Sequence, residues 1–77
     1  MNPLTGTFSD SAKVAGTATA ALRTMVKGLM TNPEFSQPLE EGQDSGEARA
    51  NVMLAYRHLQ DAEARLALAA EAMKVGV

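Results

Sequence analysis

Three features of the sequence predict an all-α fold, an antiparallel two-helix hairpin with an extended or short-helical N-terminal arm. Residues 48–73 carry a heptad repeat, and residues 9–30 carry an amphipathic helical pattern. Between them the chain is punctuated by Asn32–Pro33 and Gln37–Pro38. No run alternates apolar and polar residues with the period of two that a half-buried strand requires. Seventy-seven residues make one domain, 1–77.

The arm, residues 1–8, contains Pro3 and Gly6 and reads as extended chain or a short turn. Ser9 or Asp10 then offers a side-chain oxygen to cap the first helix, which is expected over about 9–30. At about 100° per residue, Val14, Ala15, Ala18, Ala21, Leu22, Met25, Val26 and Leu29 share one side, the side expected to face the second helix. Gly16 costs this helix about 1 kcal/mol relative to alanine, and Thr17, Thr19 and Thr24 are mediocre helix formers.

A linker of residues 31–44 follows. Its two apolar side chains, Phe35 and Leu39, are expected to fold back onto the helices. Asp44 or Ser45 caps the second helix, with Glu47 placed three residues after Asp44 as in a capping box.

The second helix, about 45–74, has a regular seam: Ala48, Val52, Ala55, Leu59, Ala62, Leu66, Ala69 and Met73. Alternating steps of four and three are the signature of close helix pairing. Asp61 is four residues from both Arg57 and Arg65, a spacing that supports two i,i+4 ion pairs. A further apolar set, Ala50, Leu54, Ala64 and Leu68, lies nearly opposite the seam. A helix that is apolar on two sides needs two neighbours, so this set is the expected interface of a homo-oligomer.

Composition narrows the function. The apolar residues, 45% of the chain, are mostly alanine, with two Phe, one Tyr and no Trp, so one hairpin has little area to bury. The chain has no cysteine and a single histidine, His58, which leaves no disulfide framework, no thiolate nucleophile and no recognisable metal site. Neither a phosphate-binding glycine loop nor a dry cleft is available to Glu40, Glu41 or Glu63, and His58 beside Asp61 reads as a solvated helical surface. No catalytic residues and no cofactor are assigned, and the chain is expected not to be an enzyme.

Net charge is −2, against general binding to DNA or RNA polymers, which requires an excess of cations. No apolar run approaches the roughly 20 residues of a membrane span, so no membrane association is expected. The opening MNPLTGTFSD lacks a basic region followed by an apolar stretch, and a cytoplasmic location is expected.

The charges are placed unevenly. Between Asp10 and Glu34 there is no acid, only Lys13, Arg23 and Lys27. Together with Gly16, Thr17, Ala20 and Thr24 they form a stripe of cations, hydroxyls and small residues opposite the apolar face of the first helix. Such a stripe is either an ordinary solvated face or a surface suited to phosphate oxygens. Tyr56, at the flank of the second helix, is either a packing residue with a wet hydroxyl or a platform for a base.

The segment EARANVMLAYRHLQDAEARL, Glu47–Leu66, and above all YRHLQDA, Tyr56–Ala62, resembles the second helix of small phage-encoded helical-hairpin proteins. These are the anti-CBASS cyclic-nucleotide sponges and their helical-hairpin relatives among the anti-Thoeris sponges. Chain length, the preceding helix and the proline-containing linker are similar in outline. The resemblance implies a compact homo-hexamer in the host cytoplasm that sequesters cyclic dinucleotides, and in some members cyclic trinucleotides, without cleaving them.

In that family an aromatic residue and a lysine from the N-terminal part hold the dinucleotide. The matching residues here are Phe8 with Lys13 or Lys27. The trinucleotide site uses an arginine and a hydroxyl late in the second helix. Ala67 and Leu68 stand at those positions here, with Arg65 nearby. The expected ligand contacts are therefore Lys13, Thr17, Arg23, Thr24 and Lys27 for phosphate, Tyr56 or Phe8 for a base, and Arg65 in reserve. The alternative is a helical adaptor or inhibitor that binds a host protein through Leu54 and Leu68.

Overall fold

A computed structural model describes residues 6–75. Helix α1 spans Phe8–Gly28 and helix α2 spans Ser45–Ala72, packed antiparallel as a hairpin. Two short 3₁₀ turns, Leu29–Thr31 and Pro33–Ser36, lie in the connection. The all-α hairpin and its single linker agree with the sequence pattern. Most of the arm, residues 1–5, lies outside the described residues. Among the described residues no helix is long and apolar enough to cross a membrane.

Helix α1 begins one residue before the expected start. Its cap is Thr7, whose hydroxyl accepts the Asp10 backbone N–H at 3.1 Å, in place of Ser9 or Asp10. Ser9 is withdrawn from capping because it is buried and donates its hydroxyl to the carbonyl of Ala70 at 2.9 Å. Ala70 is in the last turn of α2, where carbonyls have no partner further along their own helix. One hydroxyl thus closes the open end of the hairpin.

At the other end, α1 gives way to 3₁₀ geometry at Leu29, and Asn32 caps the next turn by accepting the Glu34 N–H at 2.9 Å. Glu40–Gln43 form a turn closed by the Gln43 N–H donating to the Glu40 carbonyl at 3.1 Å. Gly42 in that turn has φ +88°, a left-handed conformation that side-chain-bearing residues adopt at a cost. Asp44 caps α2 as expected, accepting the Glu47 N–H at 2.9 Å. Phe35 is half-buried beneath the Arg49 guanidinium, 4.6 Å from its ring centroid, whereas Leu39 stays half exposed instead of folding back fully.

The seam differs from expectation on α1. The residues turned inward are Ser9, Ala12, Gly16, Thr19, Arg23, Val26 and Met30, a heptad row of mostly small side chains. Of the expected apolar face Ala15 and Val26 do turn inward, but its large residues Val14, Leu22, Met25 and Leu29 are all exposed, Met25 by 70%. On α2 Val52, Leu59, Ala62, Leu66 and Ala69 are inward as expected, but Tyr56, Glu63 and Ala70 flank them. Ala48, Ala55 and Met73, expected in the seam, are exposed.

Two physical reasons account for this rotation. Small residues let the helix axes approach; a Cβ built on Gly16 would sit 3.9 Å from the Leu66 Cβ, an ordinary contact. A cross-seam ion pair between Arg23 and Glu63 then draws the polar row of α1 inward.

The outcome is a hairpin that is amphipathic as a unit. Lys13, Gly16, Thr17 and Ala20 of α1 share one broad side with Glu63 and Ala67 of α2, where they line a groove of about 370 Å³. Helix geometry turns Leu22 and Leu29 to the other broad side, beside Ala55, Ala62 and Ala69 of α2. The only buried apolar residues among those described are Ala12 and Ala70, and none of the large side chains is fully enclosed.

Candidate functional site

Arg23 is the centre of the polar side. Its Nε donates to Glu63 Oε2, its Nη2 to Glu63 Oε1 at 3.4 Å, and its Nη1 to the Tyr56 hydroxyl at 3.0 Å. Arg23 and Glu63 side chains retain only 28% and 23% of their exposure. The hydrogen bond to Glu63, then that to Tyr56, raises the Arg23 pKa above its already high ordinary value. The acid that the stripe on α1 lacks is thus supplied by Glu63 of the opposite helix, which the sequence of α1 could not reveal.

Tyr56 is half-buried and lies beneath two cations. The Arg23 guanidinium carbon is 5.5 Å and the Lys27 ammonium 5.8 Å from its ring centroid, both within cation–π range. Lys27 is exposed and makes no ion pair among the described residues. Arg23, Lys27 and Tyr56, assigned separately from the sequence, therefore converge.

The remaining residues of the stripe are spread out. Lys13 is two heptads from Lys27, about 21 Å at 1.5 Å per residue, so the two cannot grip one small ligand in one chain. The threonines already spend their single proton on the helix. Thr17 donates to the Lys13 carbonyl at 3.1 Å and Thr24 to the Ala20 carbonyl at 3.2 Å. Both are exposed, so each can serve a ligand only by rotating its hydroxyl or by accepting.

Phe8 is 57% exposed at the first residue of α1, about 22 Å along the helix from Arg23 and its Tyr56 partner. Phe8 and Tyr56 thus stand at separate places on one chain. Arg65 is exposed and pairs with Asp61 at 3.2 Å, the one i,i+4 pair that Asp61 makes; Arg57 does not join it. Ala50, Leu54, Ala64 and Leu68 are exposed on the back of α2, Leu54 by 50% and Leu68 by 69%.

A second, smaller cavity of about 180 Å³ lies at the linker end between Phe35, Leu39, Ser45 and Ala48. Its lining includes the acids Glu34 and Asp44 and offers no cation. Among the described residues no cluster of three or more histidine or acidic side chains is gathered to hold a metal ion. Comparison with protein-family models, with curated proteins and with solved structures gives no match to this chain.

Proposed function

We propose that the chain is a phage-encoded sponge that binds cyclic oligonucleotide immune signals, cyclic dinucleotides foremost, without cleaving them; trinucleotide binding, for which Ala67 and Leu68 supply neither an arginine nor a hydroxyl, is left to the ligand panel below. Acting in the host cytoplasm, it would keep the signal from the effector of the anti-phage response. The observation that carries this reading is the convergence of Tyr56, Arg23 and Lys27. A phosphodiester with an attached base needs cations beside a flat ring, and Tyr56 has two of them over one ring, whereas Phe35 has Arg49 alone. The resemblance of Glu47–Leu66 to the sponge family supports the same ligand class.

Self-association belongs to the proposal. The single chain exposes 6052 Å², whereas a monomer of this mass packs down to about 4500 Å². That excess is about the area two standard interfaces remove from one partner. The apolar broad side around Leu22, Met25 and Leu29 and the back of α2 around Leu54 and Leu68 supply the surface, and a hexamer of two-sided contacts would cover both. Copies would also bring sites that lie far apart on one chain, Phe8 and Tyr56 among them, onto a shared ligand.

The exposure of Leu54 and Leu68 also favours the second reading, an adaptor that docks on a host protein. Calorimetry of the pure protein against a panel of cyclic di- and trinucleotides separates the two. A sponge binds at least one compound tightly and returns it unchanged after heat denaturation of the protein. Silence towards the whole panel leaves the adaptor, and linear products formed in proportion to protein reveal an enzyme.

A further inference from the structure

Arginine carries five N–H donors in a planar fork, and a carboxylate or phosphodiester fills two of them side by side. In the hairpin Glu63 already takes the Nε and Nη2 edge of Arg23, and Tyr56 takes one proton of Nη1. Only two donors of the guanidinium remain. The carboxylate comes from the opposite helix and is three-quarters withdrawn from solvent, so it is not an incidental surface partner. It also lines the groove that runs past Lys13, Thr17 and Ala20.

We infer that Glu63 is an internal competitor: its two oxygens hold on Arg23 the position that the two non-bridging oxygens of a phosphodiester would take. This deepens the proposed function and rests on it for the identity of the ligand, though not for its chemistry. Binding is then an exchange, one carboxylate released for one phosphate accepted, with the guanidinium paired before and after. Isolated weak anions gain little from such an exchange. A ligand that also reaches Lys27 and stacks on Tyr56 gains enough contacts to drive Glu63 away. The carboxylate thereby sets a threshold that favours a phosphate joined to a base over free anions.

The test compares wild type, Glu63→Gln and the double variant Arg23→Ala/Glu63→Gln by calorimetry, with cyclic di-GMP and inorganic pyrophosphate as probes and helicity checked by circular dichroism. Glutamine keeps the size of the side chain and removes its charge. The expected result is that Glu63→Gln binds pyrophosphate at least tenfold more tightly than wild type, that cyclic di-GMP gains by a smaller factor, and that the double variant loses both gains. Unchanged or weaker pyrophosphate binding in a folded Glu63→Gln protein overturns the inference, whatever cyclic di-GMP does. A pyrophosphate gain without any cyclic di-GMP binding keeps the competitor role and removes this ligand from the proposed function. Should Glu63→Gln fail to fold, Glu63→Asp, which shortens the reach by one methylene, is expected to show a smaller gain in the same direction, and no gain there counts against the inference.

Discussion

Gly16 of α1 stands against Leu66 of α2, with room for a methyl group: a Cβ added at Gly16 meets the Leu66 Cβ at 3.9 Å. Glycine in a helix interior costs about 1 kcal/mol relative to alanine. Gly16→Ala should therefore stabilise the protein by about 0.5–1 kcal/mol, seen as a raised midpoint in urea at unchanged slope. A lowered midpoint would mean that the helices sit closer at this point than described.

Gly42 is the opposite case. Its φ of +88° suits glycine alone in the Glu40–Gln43 turn, although nothing lies within 4 Å of an added Cβ. The strain of a left-handed alanine, about 1–2 kcal/mol, should appear in Gly42→Ala as a loss of stability. A neutral result would place the turn in another conformation.

Removing the Ser9 hydroxyl leaves the Ala70 carbonyl without its partner at a buried helix end. Ser9→Ala is expected to cost about 1 kcal/mol. Hydrogen exchange should locate the loss in the first turn of α1 and the last turn of α2. Uniform loosening of the whole hairpin would argue that the bond is not a local clamp.

Lys27 and Arg23 should separate binding from folding. Lys27→Ala removes an exposed cation that makes no ion pair among the described residues and lies only over the Tyr56 ring, so affinity for cyclic di-GMP should fall about tenfold or more with the melting temperature little changed. Arg23→Ala should lower both affinity and melting temperature, because it also strands Glu63. If Lys27→Ala binds as wild type does, the ligand lies elsewhere than over Tyr56.

Met25 and Leu68 test the assembly. In the wild type, light scattering should give several times the 8.1 kDa chain mass, six times for a hexamer. Met25→Glu and Leu68→Glu each place a charge in an apolar contact and should reduce that mass. A folded wild-type monomer at micromolar concentration would remove the self-association proposal.

The sequence made the two helices legible because their signals are local: Asp44 followed by Glu47, the Pro33 and Pro38 stops, and the Val52–Leu59–Leu66 row. Which side of α1 turns inward was not legible from hydrophobicity, since Leu22 and Met25 outweigh Ala12, Gly16 and Thr19 on any such measure. The usable signal was spacing. Ser9, Ala12, Gly16, Thr19, Arg23, Val26 and Met30 step by three and four as the α2 seam does, and small residues in such a row mark close approach. Arg23 hid the pattern because a charged residue in a seam makes sense only with Glu63, forty positions away. For the site, Tyr56, Arg23 and Lys27 were each legible as residue types, while their convergence depended on the helix pairing.

The linker between Gly28 and Ser45 sets an order of events during synthesis. The main packing is of one helix on the other, so the hairpin forms by closing one short loop, a step that takes well under a millisecond. Encounter between copies, at typical association constants and micromolar concentration, takes from about a tenth of a second to ten seconds. On the proposed assembly every new chain therefore passes through an interval, thousands of times longer than its own folding, in which Leu22, Met25 and Leu68 face water. The yield of finished sponge would then depend on how fast the chain is made as well as on how well it folds.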